Sequence, residues 1–278
     1  MWRKVMVVLL GILGTSVEAR SQRPELNTAL MESTFKIQGI ARGNPAGTVV
    51  GTVFFIGRPS KSDPSRSYFV LITARHVLDA MEDDATILLR EKQPDGSFRK
   101  FPHTFKIREN GKDLYVHHDQ ADVAAMYFRM PIKDPFMMLD KDFLADDDKL
   151  KLYEMHPGDE LLCLGFPLAA EANEIGFPIL RSGRIASYPL IPTKTVKSFL
   201  YDFRVFDGNS GGPVYFTYDT RTFGGNLHSG GIMGIVGLVS QQNYSAIPGH
   251  FGQPLDLGVI VPAVFIVETI NMLPEKQQ

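Results

Sequence analysis

The sequence predicts an all-β fold built as two β-barrels, and three observations carry that prediction. Short runs of β-branched and aromatic residues recur between turn signals along most of the chain, the pattern of a barrel or sandwich. No helical periodicity separates them. Residues 131–158, rich in Asp, Lys and Pro, divide the runs into two groups and have the charge and chain breakers of a surface crossing.

In chain order, the expected strands of the first group are 48–56, 68–73, 85–89 and 123–128. The run Tyr68-Phe69-Val70-Leu71-Ile72 is apolar throughout, so it reads as a buried strand. The second group comprises 160–165, 199–203, 213–217, 232–239 and 258–261. Residues 262–270 open on Pro262 and continue apolar, which predicts a short closing helix, because proline suits a first helical turn. The domain boundaries follow: an N-terminal barrel over 20–135, a connector over 136–158, and a C-terminal barrel with its terminal helix over 159–278.

The start of the chain reads differently. Arg3 and Lys4 precede an apolar run over 5–13, followed by small residues up to Ala19. That is the layout of a signal peptide, with cleavage expected after Ala19. The apolar run is short of the ~20 residues that span a bilayer, so a retained anchor is the second reading and no stable span is expected after cleavage. A secreted or periplasmic location is the corresponding expectation.

Composition narrows the function. With 44% hydrophobic and 22% charged residues, the chain can bury a sizeable core and is too apolar for disorder. A net charge of −2 gives no general pull toward nucleic acid or anionic lipid. The single cysteine, Cys163, rules out an intrachain disulfide, so packed cores alone must hold the fold. Among Leu161, Leu162 and Leu164 it reads as a small core residue rather than a nucleophile. Adjacent residues on an extended chain point to opposite faces, so His117-His118-Asp119 does not predict a metal site. The run Asp146-Asp147-Asp148 lacks the alternation of a calcium loop and reads as a solvated turn. Neither metal nor cofactor is expected.

The chemistry is written most clearly in Gly208-Asn209-Ser210-Gly211-Gly212-Pro213. An acyl-transfer enzyme must expose a serine oxygen at a sharp turn, with backbone N–H groups aimed at the developing oxyanion. Gly208 allows a turn that a Cβ would penalise, and Gly211 and Gly212 leave room for a substrate carbonyl. Far upstream, His76 follows the buried strand in Thr73-Ala74-Arg75-His76-Val77, where a base can project into a cleft from a fixed backbone. Between them, Asp122 heads the β-rich run 122–128, placed to orient an imidazole.

Together, in the order His, Asp, Ser, these residues resemble the trypsin-like serine peptidases of the chymotrypsin fold; α/β-hydrolases and subtilisin-like enzymes carry the same trio in other orders. Leu164-Gly165-Phe166-Pro167, Ser182-Gly183-Arg184-Ile185, Gly234-Ile235-Val236-Gly237-Leu238 and Asp202 look like parts of the bacterial HtrA (Deg) group. The resemblance implies two Greek-key β-barrels with Ser210 as nucleophile, His76 as general base and Asp122 as its orienting acid. It further implies an oxyanion hole from the N–H groups of Gly208 and Ser210, and polypeptide substrates lying along Gly237, Leu238 and Val239 to Ser240. Asn209 stands where digestive members carry an aspartate that pairs with a freed N-terminus, so activation by clipping is not implied. The tail over 271–278 is too short for the PDZ module usual in the HtrA group. A modest apolar first pocket is expected. Arg204 either reaches its base and favours acidic side chains or pairs with Asp202 or Asp207. The rival readings are a catalytically silent peptide-binding or chaperone-like descendant of the same fold, and an acyl-ester hydrolase.

Overall fold

The computed structural model describes residues 25–63, 66–133, 136–244 and 252–275. The signal-peptide reading of 1–19 lies outside them. The described residues open with α1 (Leu26–Ser33), which the sequence reading did not anticipate. Glu25 caps it, its carboxylate accepting from the N–H groups of Asn27 and Thr28, and Leu26, Ala29 and Leu30 are buried beneath it.

Nine strands form the first half: β1 (Thr34–Ala41), β2 (Asn44–Pro59), β3 (Ser67–Thr73), β4 (Asp84–Lys92), β5 (Phe98–Lys106), β6 (Arg108–Glu109), β7 (Lys112–Asp113), β8 (Val116–His117) and β9 (Ala124–Tyr127). Between β3 and β4 sits a short helix, α2 (Arg75–Asp79). Apart from the small β6–β7 ribbon, they make one sheet in the order β5-β4-β1-β2-β3-β9-β8. Within it, β4 returns beside β1 of the β1-β2-β3 meander, which is a Greek key. Residues 51–57 of β2 are buried on both faces, because β2 also packs against the second half. The edge strand β5 carries Arg99, Lys100, Lys106 and Pro102, residues that discourage pairing with another chain.

The second half is a closed barrel. Its strands are β10 (Glu160–Gly165), β11 (Ile179–Ile185), β12 (Phe199–Asp202), β13 (Pro213–Phe223), β14 (Asn226–Tyr244) and β15 (Pro254–Pro262). They run in the order β10-β11-β12-β15-β14-β13, and β13 closes the ring on β10. Here β13 returns beside β10 of the β10-β11-β12 meander, a second Greek key. The all-β, chymotrypsin-type double barrel expected from the sequence is the architecture observed, and the closing helix is present as α5 (Ala263–Met272).

Three local expectations need correction. The connector is not a bare surface strap: Leu139, Leu144, Ala145 and Leu150 are buried, Gly57 N donates to Leu139 O, and Ala145 N donates to Ile235 O. The acidic run is solvated at Asp146 and Asp148, as expected, but it starts a helix rather than forming a turn. Asp146 caps α3 (Asp147–Leu152) by accepting from Lys149 N, and Asp147 accepts from Thr193, which opens α4 (Thr193–Val196). Finally, α5 does not belong to the second half alone, because Phe265, Ile266 and Ile270 join the core of the first. No helix among the described residues is long and apolar enough to cross a membrane.

Candidate active site

His76 sits in the first turn of α2, directly after β3. Ile72 and Thr73 are fully buried, and Thr73 Oγ1 donates to Thr52 O, so the backbone that presents the imidazole is fixed from behind. Asp122 arrives from the loop between β8 and β9, and α5 packs over that region. Its carboxylate holds the histidine at two points: Oδ1 accepts from His76 N at 3.0 Å, and Oδ2 lies 2.7 Å from Nδ1. Burial pushes the Asp122 carboxyl up, but hydrogen bonds from His76 and Ser240 outweigh it and hold the group below the ordinary aspartate value. An ionised carboxylate only accepts, so the hydrogen bond to Asp122 places a proton on Nδ1, and in the neutral imidazole it is Nε2 that accepts.

Ser210 lies at the head of the turn leading into β13. Gly208 has φ +92°, and a Cβ there would overlap Phe166 O. Gly211 has φ +87°, and a Cβ there would overlap Thr52 O and Thr73 Oγ1. The turn is therefore built of glycine as much for the close approach of the two halves as for its own conformation. Thr52 pins it, donating from N to Ser210 O at 2.8 Å and from Oγ1 to Gly208 O at 2.6 Å. Asn209 is buried, and its Oδ1 accepts from Phe206 N at 3.1 Å, so local hydrogen bonds shape the loop. Among the described residues, neither Gly208 N nor Ser210 N donates a hydrogen bond to the protein. Two unpaired donors beside a serine have the makings of an oxyanion hole.

All three residues line one cleft of about 450 Å³, shared with Val205, Phe206, Asp207, Ser240, Gln241 and Gln242. The Ser210 hydroxyl donates to Ser240 O at 2.8 Å, and no hydrogen bond joins it to His76 among the described residues. Ser240 thus touches both ends of the trio, for its own Oγ donates to Asp122 Oδ2 at 2.5 Å. The sequence reading placed Ser240 only at the end of the substrate strip, with no link to Asp122 or Ser210. The pairing of β14 with β15 slips between Val239 and Gln241, a bulge that takes Ser240 out of the ladder and turns it toward the cleft. A serine after a valine carries no such signal in sequence.

No family model matches the chain, and neither does any curated protein. Among solved structures it is similar to the Rv3671c protease from M. tuberculosis in its active form, at 18% identity over 91% of this chain and 86% of that one, with a TM-score of 0.46. Likeness of that degree assigns no chemistry.

Other expected positions fall elsewhere. Leu238 and Val239 are fully buried, and a Cβ on Gly237 would run into Val261 O, so residues 237–239 are core rather than cleft wall. The wall is made by the next three residues, Ser240, Gln241 and Gln242. Arg204 pairs with neither Asp202 nor Asp207: it meets Asp256 at 3.2 Å and stays largely exposed. Asp202 is an exposed residue of β12. His118 meets Glu268 on α5 at 3.0 Å. Burial pushes the Cys163 thiol up to about 12, against a smaller opposing pull from Arg181, which fits a core thiol.

Proposed function

We propose that the protein is a serine endopeptidase that cleaves exported or extracellular polypeptides through an acyl-enzyme intermediate. The observation that carries this reading is the clasp of Asp122 on His76 in the same cleft as Ser210. A carboxylate holding Nδ1–H leaves Nε2 as the base, and a serine hydroxyl in that cleft is its natural proton donor. In the resting arrangement the hydroxyl rests on Ser240 O, so the reaction opens with its rotation about χ1 toward Nε2.

Attack on a peptide carbonyl then passes the hydroxyl proton to His76, and Asp122 stabilises the imidazolium that results. The oxyanion collects the free N–H groups of Gly208 and Ser210, donors worth roughly 3–4 kcal/mol each in such sites. The imidazolium next protonates the leaving amine. Water, deprotonated by the same Nε2, finally releases the acyl group from Ser210. Casein or a mixed peptide library is the direct test. Cleavage products are expected from the wild type, with the rate falling on the order of 10⁶-fold in Ser210→Ala. A folded wild-type chain that cleaves short esters but no peptide would replace this reading with an ester hydrolase.

A further inference from the structure

We infer that Gln242 is a specificity-determining residue, a bar across the first pocket that restricts cleavage to bonds following a small, uncharged side chain. The inference rests on the peptidase reading. A side chain preceding the scissile bond must enter beside Ser210, between two walls: residues 205–207, which lead into the nucleophile turn, and residues 240–242 of β14. Gln242 spans the gap between them. Its Oε1 accepts from Val205 N at 2.7 Å on the opposite wall, while its Nε2 donates to Asn243 O at 3.2 Å. Held at both ends of its amide, the side chain is only 9% exposed and Val205 only 8%.

Depth behind the bar is filled as well. Val205 and Phe203 close in on Gly258 so tightly that a Cβ there would lie 3.0 Å from Val205 Cγ2 and 3.5 Å from the Phe203 ring, so behind Val205 only a glycine is accommodated. Phe203 is itself fixed between the Tyr201 ring at 5.0 Å and the Arg181 guanidinium at 4.1 Å. Arg204, the nearest cation in sequence, does not line the cleft and is turned to Asp256. Among the described residues the pocket therefore offers neither the length for an aromatic or basic side chain nor a cation for an acidic one. Alanine, serine and valine fit it.

The test is a set of peptides differing only in the residue before the cleaved bond, Ala, Val, Phe, Arg and Glu, with active sites counted by a fluorophosphonate probe. The wild type should prefer Ala and Val over Phe by at least about tenfold in kcat/KM. Gln242→Gly and Gln242→Ala remove the bar and should raise Phe relative to Ala by about tenfold or more. A wild type that takes the probe yet cleaves after Phe as well as after Ala overturns the inference alone, as does an unchanged ranking in both opened variants. A wild type that takes no probe overturns the peptidase reading and the inference with it.

Discussion

In the proposed mechanism Asp122 is the residue on which the chemistry turns, and its electrostatics make two checkable statements. Replacing it by Asn keeps the shape but lets the amide favour the wrong histidine tautomer, and kcat should fall about 10⁴-fold, as the same change does in other Ser-His-Asp sites; a loss below tenfold would remove Asp122 from the mechanism. Because its folded pKa is held below the ordinary aspartate value, the clasp contributes stability at pH values above about 4. That contribution is lost as pH falls through the lowered folded value. Acid unfolding should therefore be steeper in the wild type than in Asp122→Asn, and parallel acid limbs would contradict the assignment. The Ser240 hydroxyl is committed to Asp122, so in the proposed mechanism its side chain acts by positioning that carboxylate. A hydrogen bond to a charged group is worth roughly 1.5–3 kcal/mol, so Ser240→Ala should lower kcat about tenfold or more with little change in KM, and Ser240→Thr should restore part of the loss.

Among the elements, those legible in the sequence were the ones with a local reason to exist. Residues 68–72 of β3 and 161–164 of β10 form apolar runs that are mostly buried, and Pro262 announces α5. The elements that were missed owe their form to neighbours. β5 is a charged edge strand containing Pro102, and α1 is eight residues long, too short to be marked by propensity alone. What fixes α1 is Arg90 on β4, a buried guanidinium that donates to Met31 O, Glu32 O and Thr34 O and, across to the second half, to Gly176 O. Phe35 and Phe177 sandwich it at 4.2 and 4.3 Å. Beside it Glu171 meets Lys36 and Lys100, each at 2.5 Å. The segment so anchored also donates from Leu168 N to Asp207 O, next to the turn that carries Ser210. Arg90→Ala leaves these carbonyls without their donor and should cost about 3 kcal/mol or more in urea unfolding. A midpoint within experimental error of the wild type would contradict that role.

At the scale of the whole molecule, the site exists because two Greek-key halves meet at one glycine-rich turn. The trio and its order were readable far apart in sequence, since each carries its own local mark: His76 after a buried strand, Asp122 at the head of another, Ser210 among glycines. Most of the cleft wall was not readable, because the bulge at Ser240 depends on how β14 pairs with β15, and the expected strip met the wall only at Ser240. Gly211→Ala should separate docking from chemistry. Its Cβ would press on Thr52 and Thr73 of the first half, so probe reactivity should be lost together with native stability, while a fully reactive, fully stable variant would mean the halves do not meet as described. The most direct measurement is covalent labelling by a fluorophosphonate, with the added mass mapped to a residue. One equivalent is expected on Ser210 in the wild type, none in Ser210→Ala, and a greatly slowed reaction in His76→Ala. No adduct on the folded wild-type chain, or an adduct on any residue other than Ser210, would contradict the account.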